Sequence, residues 1–332
     1  MRKLVWSALP LLLAGLVACS GDNNKAASEN TDSQNAKKVV RIATLNGTSD
    51  VVLGRDRGTL EQYLASKNIE VKWEGPFNSA APAYEAINAK AIDITVGSSS
   101  AFANVIANGA QIDIFAYQPM PAFGEGIVVA KDSNINSVHD LVGKKVAVNK
   151  GGTGEYLLSI ALKNNNIPED KVEKSYMLPS DTGTAFSGKH VDAWATWDPY
   201  LSVAQDLYNA KILVGGGDLK SSNAVGYFAD SNYAKQNPEV IQAVFEGLKQ
   251  ENDWAKANQE KAGKVWANRL GYKDNANIAS NLGKVNTVPL RSLSDADVED
   301  IVKLAHWYHE KGIIKAVPDV KKHVIQLPAS KA

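Results

Sequence analysis

Val191–Tyr200 reads VDAWATWDPY, two tryptophans and two carboxylates in ten residues. Val191 to Trp197 has the length and the β-branched and aromatic content of a strand. Asp198 then suits a helix N-cap, and Pro199 the first helical position. Trp197 and Asp198 are therefore expected on a turn where a strand ends and a helix begins. In an open α/β sheet, ligands bind outside such turns.

Outward from this stretch, β-like runs alternate with helical patterns from Val39 onward, which argues for an α/β protein. Val39–Leu45, Ala91–Val96, Gln111–Tyr117, Gly126–Ala130 and Lys145–Asn149 read as strands. Thr59-x-x-Gln62 and Ser137-x-x-Asp140 read as capping boxes. Ser98-Ser99 can cap the helix AFANVIAN, with Gly109 as its stop. Gly151–Thr153 is a turn feeding EYLLSIALKNN. The last third reads as mainly helical, with Pro238–Asn258 and a helix from Ser294-x-x-Asp297 to Gly312.

A weak internal echo lies 99 residues apart. AINAKAIDITVGSSSAF (Ala86–Phe102) aligns with AFSGKHVDAWATWDPYL (Ala185–Leu201), pairing Lys90 with Lys189 and Asp93 with Asp192. RIATLNGTS aligns with KVAVNKGGT, pairing Gly47 with Gly151. Few identities are involved, and generic α/β punctuation is the competing account. A real repeat would mean two similar lobes, with the strand-to-helix turns 46–50, 97–100, 151–155 and 196–199 facing one another.

The 332 residues suffice for one large domain or two ordinary ones. Lys plus Arg equals Asp plus Glu at 36 each, so nothing favours nucleic acid or anionic membranes in general. Arg2 and Lys3 precede an apolar run, Leu4–Val17, too short for a comfortable membrane span. The run ends in Leu16-Val17-Ala18-Cys19 and reads as a secretory signal. It resembles the lipobox of bacterial lipoproteins, which implies a signal peptide over 1–18 and lipidation of Cys19. An ordinary signal peptide that happens to contain a cysteine is the alternative. Cys19 is the only cysteine, so no disulfide is available. Residues 20–38 lack large apolar side chains and read as a tether of about 25 Å mean reach.

RGTLEQYL (57–64), EAINAKAIDITVGSS (85–99), KKVAVNKGGTGEYLL (144–158), HVDAWATWDPYL (190–201) and NPEVIQAV (237–244) follow one another in a known order and spacing. In these segments the chain resembles the solute-binding proteins of ABC transporters, above all the branch for aliphatic sulfonates, taurine and nitrate. The likeness runs from about Val39 to Asn258. It implies a type II periplasmic-binding fold, with two lobes joined by two crossings and a ligand cleft between. Lobe 1 would span 39–127 plus 222–332, and lobe 2 128–221. The resemblance further implies a non-catalytic, monomeric protein without a cofactor, exported to the periplasm or cell surface and anchored there by its lipid. It would capture a small organic anion, most simply an aliphatic sulfonate for sulfur metabolism, and deliver it to a membrane permease and its ATPase. Taurine, nitrate and other small anions are the alternatives.

In that family the anionic head sits on backbone amides and hydroxyls at helix N-termini. The chemistry is sound, because a helix start carries unpaired N–H groups and partial positive charge. By resemblance the ligand contacts are Asn46, Gly47 and Thr48, Ser98 and Ser99, and Gly152, Thr153 and Gly154. Trp197 would pack on the ligand's tail, Asp198 would be a cap first and a contact second, and Tyr227 would come near the cleft after the second crossing. Trp194, three residues from Trp197 on a strand, faces the other side and reads as core. Phe123, before Gly124-Glu125, reads as bulk that narrows the pocket. Lys150 is the nearest cation to the glycine-rich turn and reads as a surface charge. His306 and His309 have a spacing zinc could use, but no third ligand is suggested nearby, and no metal is expected. The same fold also serves enzymes, pyrimidine-precursor synthases among them. An enzyme needs a nucleophile or base with a partner. The four turns hold no His or Cys, leaving Asp50, Glu155 and Asp198 as acids without a partner pattern. A lipid-anchored sensor would share the site chemistry.

Overall fold

A computed structural model describes residues 37–328. The expected signal segment, Cys19 and all but the end of the expected tether lie outside the described residues. In chain order, β1 (Lys38–Leu45) leads through α1 (Asp50–Arg57) and α2 (Thr59–Ser66) to β2 (Ile69–Phe77). Then come α3 (Ala80–Asn88), β3 (Ile94–Ser98), α4 (Ser99–Ala107) and β4 (Ile112–Pro119). A second set follows: β5 (Glu125–Ala130), β6 (Lys145–Val148), α5 (Thr153–Asn164), β7 (Glu173–Tyr176), α6 (Pro179–Ser187), β8 (Ala193–Trp197), α7 (Tyr200–Leu207) and β9 (Ala210–Gly215). β10 (Ala224–Asp230) precedes the helical tail of α8 (Ser231–Gln236), α9 (Pro238–Ala257), α10 (Gln259–Arg269), α11 (Ala276–Val285) and α12 (Asp295–Glu310).

The strands form two five-stranded sheets, ordered β2-β1-β3-β10-β4 and β7-β6-β8-β5-β9. In each sheet the first three strands are parallel, and the fourth runs antiparallel to both its neighbours. The fourth strand is the one that has just crossed from the other sheet, β10 in the first and β5 in the second. The crossings are residues 120–124 and 216–223. β5 pairs into the second sheet from Glu125, so the first crossing ends at 124, three residues before the expected 127.

The internal echo is a structural repeat. Asp93 receives the Arg41 amide at 2.7 Å, and Asp192 receives the Lys145 amide at 2.9 Å, so each aspartate pins the start of its sheet's central strand. Lys90 and Lys189 both take left-handed backbone, at φ 61° and 59°. The repeat extends upstream through the whole of α3 and α6, which start and end 99 residues apart.

Two local expectations need correction. The Thr59–Gln62 capping box does not form: Gly58 is the N-cap of α2, with left-handed φ of 71°, and the Thr59 hydroxyl bonds Glu251 on α9. Helix α7 begins at Tyr200 rather than Pro199, with Asp198 Oδ1 receiving the Ser202 amide at 3.0 Å. The Ser137–Asp140 box forms on a single 3₁₀ turn, and the Ser294–Asp297 box opens α12. Apolar packing also links the two sheets' helices. Tyr156 of α5 packs edge-on against Trp307 of α12, with ring centroids 5.2 Å apart, and Val203 of α7 joins Leu53, Trp266 and Leu282. No helix of the described residues is long and apolar enough to cross a membrane.

Candidate functional site

A cavity of about 450 Å³ opens where the strand-to-helix turns of the two sheets face each other. That volume suits a small organic molecule. Its wall is made by helix beginnings. Ser49, Ser79, Ser98, Gly152 and Leu178 are the N-caps of α1, α3, α4, α5 and α6, and all five line it. Asp198, just before α7, lines it too. Each helix start brings N–H groups without helical acceptors and the positive end of a dipole.

The turn Asn149–Thr153 shows how sequence builds one such cradle. Gly151 takes left-handed backbone, φ 63°, which glycine adopts without strain. Asn149 then folds its side chain over the helix start and receives the Gly154 amide at 2.7 Å. Gly154 fits close against β8, because a Cβ there would stand 2.5 Å from the Ala195 carbonyl oxygen. Glu155 receives the Gly151 amide at 2.8 Å from outside, and also bonds Lys174 and Tyr176. Thr153 is left on the cavity wall. Its hydroxyl oxygen accepts from Asn223 Nδ2 at 3.2 Å, and its proton can turn either to the Ser100 hydroxyl, 3.4 Å away, or into the cavity.

Of the residues expected from sequence, Asn46, Gly47, Thr48, Ser98, Gly152, Thr153, Trp197 and Asp198 line the cavity. Ser99, Gly154 and Tyr227 do not. Ser99 is fully buried behind Ser98, with its hydroxyl receiving the Ala224 amide at 2.9 Å. Gly154 is covered by Asn149. Tyr227 is fully buried, bonded to Asp50 and Gln118 in the first sheet's core. Its strand runs away from the cavity, so Val225 reaches the wall and Tyr227 lies two residues, about 7 Å, deeper. Phe123 is 60% exposed on the crossing and is not on the wall, so it does not narrow the pocket; Met120 and Gly124 line it instead. Trp194 packs between Phe186 and Tyr200, while the Trp197 ring stands edge-on to Tyr200 at 5.8 Å.

Sequence reasoning missed Asn78, Ser79, Asn149, Tyr176–Pro179 and Asn286. Asn286, after α11, accepts from the Thr48 hydroxyl at 2.8 Å and donates to Asp198 Oδ2 at 3.3 Å. It thus straps the first lobe to the second across the mouth of the site.

The charges are few. Lys150 is the cation on the wall and Asp198 the acid. Burial pushes the Asp198 carboxyl up to about 6, against the pull of its bonds from Ser202 and Asn286. Ala80, Ala81, Pro82, Val96, Met177 and Leu178 give the rest of the wall an apolar character. The arrangement can hold an anionic head by uncharged donors and an apolar body by side chains. The three acids that might have served catalysis are engaged elsewhere: Asp50 in the core, Glu155 with Lys174 and Tyr176, and Asp198 with Ser202 and Asn286.

The family model described as NMT1/THI5 like matches residues 57–262. A protein of Escherichia coli (strain K12), provisionally named an aliphatic sulfonates-binding protein, is 28% identical over 329 residues, covering 98% of this chain and 97% of that one. The crystal structure of the periplasmic aliphatic sulphonate binding protein SsuA from Escherichia coli superposes with a TM-score of 0.78 at 26% identity, covering 89% of this chain and 95% of that one. The alkanesulfonate-binding protein SsuA from Xanthomonas axonopodis pv. citri, bound to MOPS, gives 0.79 at 23% identity over 86% and 98%, a likeness of fold.

Proposed function

We propose, from the premise that this chain belongs to the NMT1/THI5 like family and has the periplasmic-binding fold, that it is the solute-binding component of an ABC importer and captures an aliphatic sulfonate. The observation that carries this reading is the cavity wall. Helix starts and hydroxyls converge there with, among the described residues, a single cation, Lys150, and with a broad apolar remainder. Three sulfonate oxygens accept hydrogen bonds as a tripod, and an alkyl tail fills the apolar side. The names of the relatives point the same way. Among the described residues the wall carries no nucleophile paired with a base, which favours binding over catalysis.

On this reading residues 120–124 and 216–223 are the hinge. The lobe boundaries fall there, the first earlier than 127 and the second around 221, and the cleft closes on ligand. The protein works outside the cytoplasm, held near the membrane through a lipid on Cys19, as a monomer that meets a permease and its ATPase. The lipobox and the apolar run before it support that placement.

Taurine is the second reading, and Asp198 favours it, since a carboxylate on the wall can meet an ammonium. Against it, both Asp198 oxygens already accept bonds. The test is calorimetric titration with alkanesulfonates, taurine, nitrate and sulfate, on the native protein and on Thr153→Val and Lys150→Ala. A buried hydrogen bond to a charged group is worth about 1.5–3 kcal/mol, so Thr153→Val should weaken alkanesulfonate binding about 10- to 100-fold. Lys150→Ala should matter little. Binding that vanishes with Lys150 but survives Thr153→Val would overturn the cradle of neutral donors.

A further inference from the structure

Behind the cradle lies a buried acid that ligand binding, as read so far, does not use. Glu125 opens β5 at the end of the first crossing and is fully buried. Its Oε2 receives Asn223 Nδ2 at 2.8 Å, and Oε1 has no hydrogen-bond partner among the described residues. Gly216 closes over it, as a Cβ there would stand 2.6 Å from Glu125 Cγ and 3.0 Å from Oε1. Asn223 sits at the end of the second crossing. Its Nδ2 also donates to Thr153 Oγ1 at 3.2 Å, and its Oδ1 accepts from the Ser99 hydroxyl at 3.3 Å and the Ser100 amide at 3.2 Å. One amide therefore joins both crossings, the start of α4, the start of α5 and the acid.

Two consequences follow. Because the Asn223 amide is held at every corner and donates to Thr153, the Thr153 proton is directed away from Asn223, toward Ser100 Oγ at 3.4 Å or an acceptor in the cavity. And the acid is close to whatever accepts from Thr153. Oε2 and Thr153 Oγ1 bond the same nitrogen, at 2.8 and 3.2 Å, so they lie within about 6 Å of each other. An anion one further hydrogen bond away is then within about 9 Å of the carboxylate.

Neutral donors carry no charge that would repel the more highly charged of two anions, so a cradle of amides and hydroxyls needs a further element to exclude sulfate. We propose that Glu125 is a specificity-determining residue, whose buried carboxylate behind Thr153 makes the cleft accept singly charged anions and reject dianions. The proposal rests on the reading of the cavity as an anion site. At an effective dielectric of about 20 and a separation of about 9 Å, an ionised Glu125 weakens binding about 20-fold for each negative charge on the ligand. A dianion suffers that factor twice and a sulfonate once.

The groups around Glu125 leave its charge standing. Tyr156 of α5 is the titratable neighbour, with its oxygen receiving the Ser222 amide at 3.2 Å. Ser221, Ser222 and Asn223 of the second crossing are neutral. Asp300 reaches Ser222 from α12 and pairs with Lys303. On the cavity wall the charges are Lys150 and Asp198. Burial pushes the Glu125 carboxyl up to about 6, with Ser221 and Asn223 opposing, so it can be titrated in a folded protein.

The experiment titrates the purified protein with propanesulfonate and, by competition, with sulfate, which stays a dianion between pH 5 and pH 8. Glu125→Gln keeps an acceptor for Asn223 and removes the charge. At pH 8 the native protein should prefer the sulfonate, and Glu125→Gln should narrow that preference about 10- to 20-fold, mainly by gaining sulfate affinity. In the native protein, lowering the pH to 5 should do the same, and the variant should show little further change. Asp198 titrates in the same range, so the pH series is repeated on Asp198→Asn, where the gain for sulfate should persist; this arm carries the test if Glu125→Gln does not fold. An unchanged preference in Glu125→Gln with sulfonate binding intact overturns the role of Glu125 alone, as does a pH effect that disappears in Asp198→Asn. A native protein that binds no alkanesulfonate overturns the reading of the site as well.

Discussion

Gly154→Ala tests how the second lobe builds its end of the cavity. The added Cβ would meet the Ala195 carbonyl oxygen of β8 at 2.5 Å and Asn149 Oδ1 at 2.8 Å. Carbon and oxygen rest several tenths of an ångström to about 1 Å further apart than that, so the first turn of α5 must move off β8. Alanine is intrinsically the better helix former, by about 1 kcal/mol, so any loss must come from the clash. Overpacking of this kind costs about 1–3 kcal/mol. Displacing the turn also strains the Gly154–Asn149 bond and carries Gly152 and Thr153 away from the ligand. The expected outcome is a melting temperature lower by several degrees and alkanesulfonate binding about 10- to 100-fold weaker, equivalent to one hydrogen bond to a charged group. Calorimetric titration and thermal unfolding read the two effects. Gly47→Ala is the control: Gly47 lines the same cavity, but its Cβ would have nothing within 4 Å, so folding should be unaffected. If Gly154→Ala melts and binds like the native protein, α5 is not wedged against β8 and the cradle is not built as described.

Trp197→Ala should penalise long alkanesulfonates more than short ones, up to about 0.8 kcal/mol for each methylene that loses the ring; an equal penalty at all lengths would make Trp197 a packing residue. Asp50 is buried and its carboxyl is pushed up to about 7, chiefly by burial and further by Glu251, against bonds from Tyr227, Asn252 and Gln118. The native state therefore holds this proton more tightly than the unfolded chain, and stability falls as pH rises from about 4 through 7, by up to about 1.4 kcal/mol per unit. Melting temperature should drop between pH 5.5 and 7.5, with a shallower drop in Asp50→Asn; a rise with pH in the native protein would contradict the assignment. Cys19→Ser should release a folded, ligand-competent protein from membranes, and fractionation that leaves the variant with the membrane would point to another anchor.

The α/β class was legible from strand-like runs and capping signals, because both follow from side-chain chemistry over a few residues. β2 escaped because Gly75-Pro76 interrupts it; proline is tolerated there since β2 is an edge strand, a fact of pairing that one segment does not contain. The helix starts at Ser79 and Leu178 escaped for a different reason. The 99-residue repeat, carried upstream from Ala86 and Ala185 to the starts of the same two helices, leads to both. Tyr227 lies away from the wall although the resemblance places its segment near the cleft, because strand direction decides which residue of β10 reaches the cavity. Asn286 has no local signal at all: its role arises from meeting Thr48 and Asp198, 238 and 88 residues away.

The place of β10 between β3 and β4 bears on the order in which the molecule can be assembled. All five strands of the second sheet lie in one continuous segment, 125–215, so that sheet can close once residue 215 is available. The first sheet has a vacancy between its third strand and its last until residue 230 has been made. Domains usually complete themselves from the N-terminus as they are synthesised. Here the beginning of the chain must wait for the middle, and its hydrophobic strands stay unfinished until two thirds of the polypeptide has emerged.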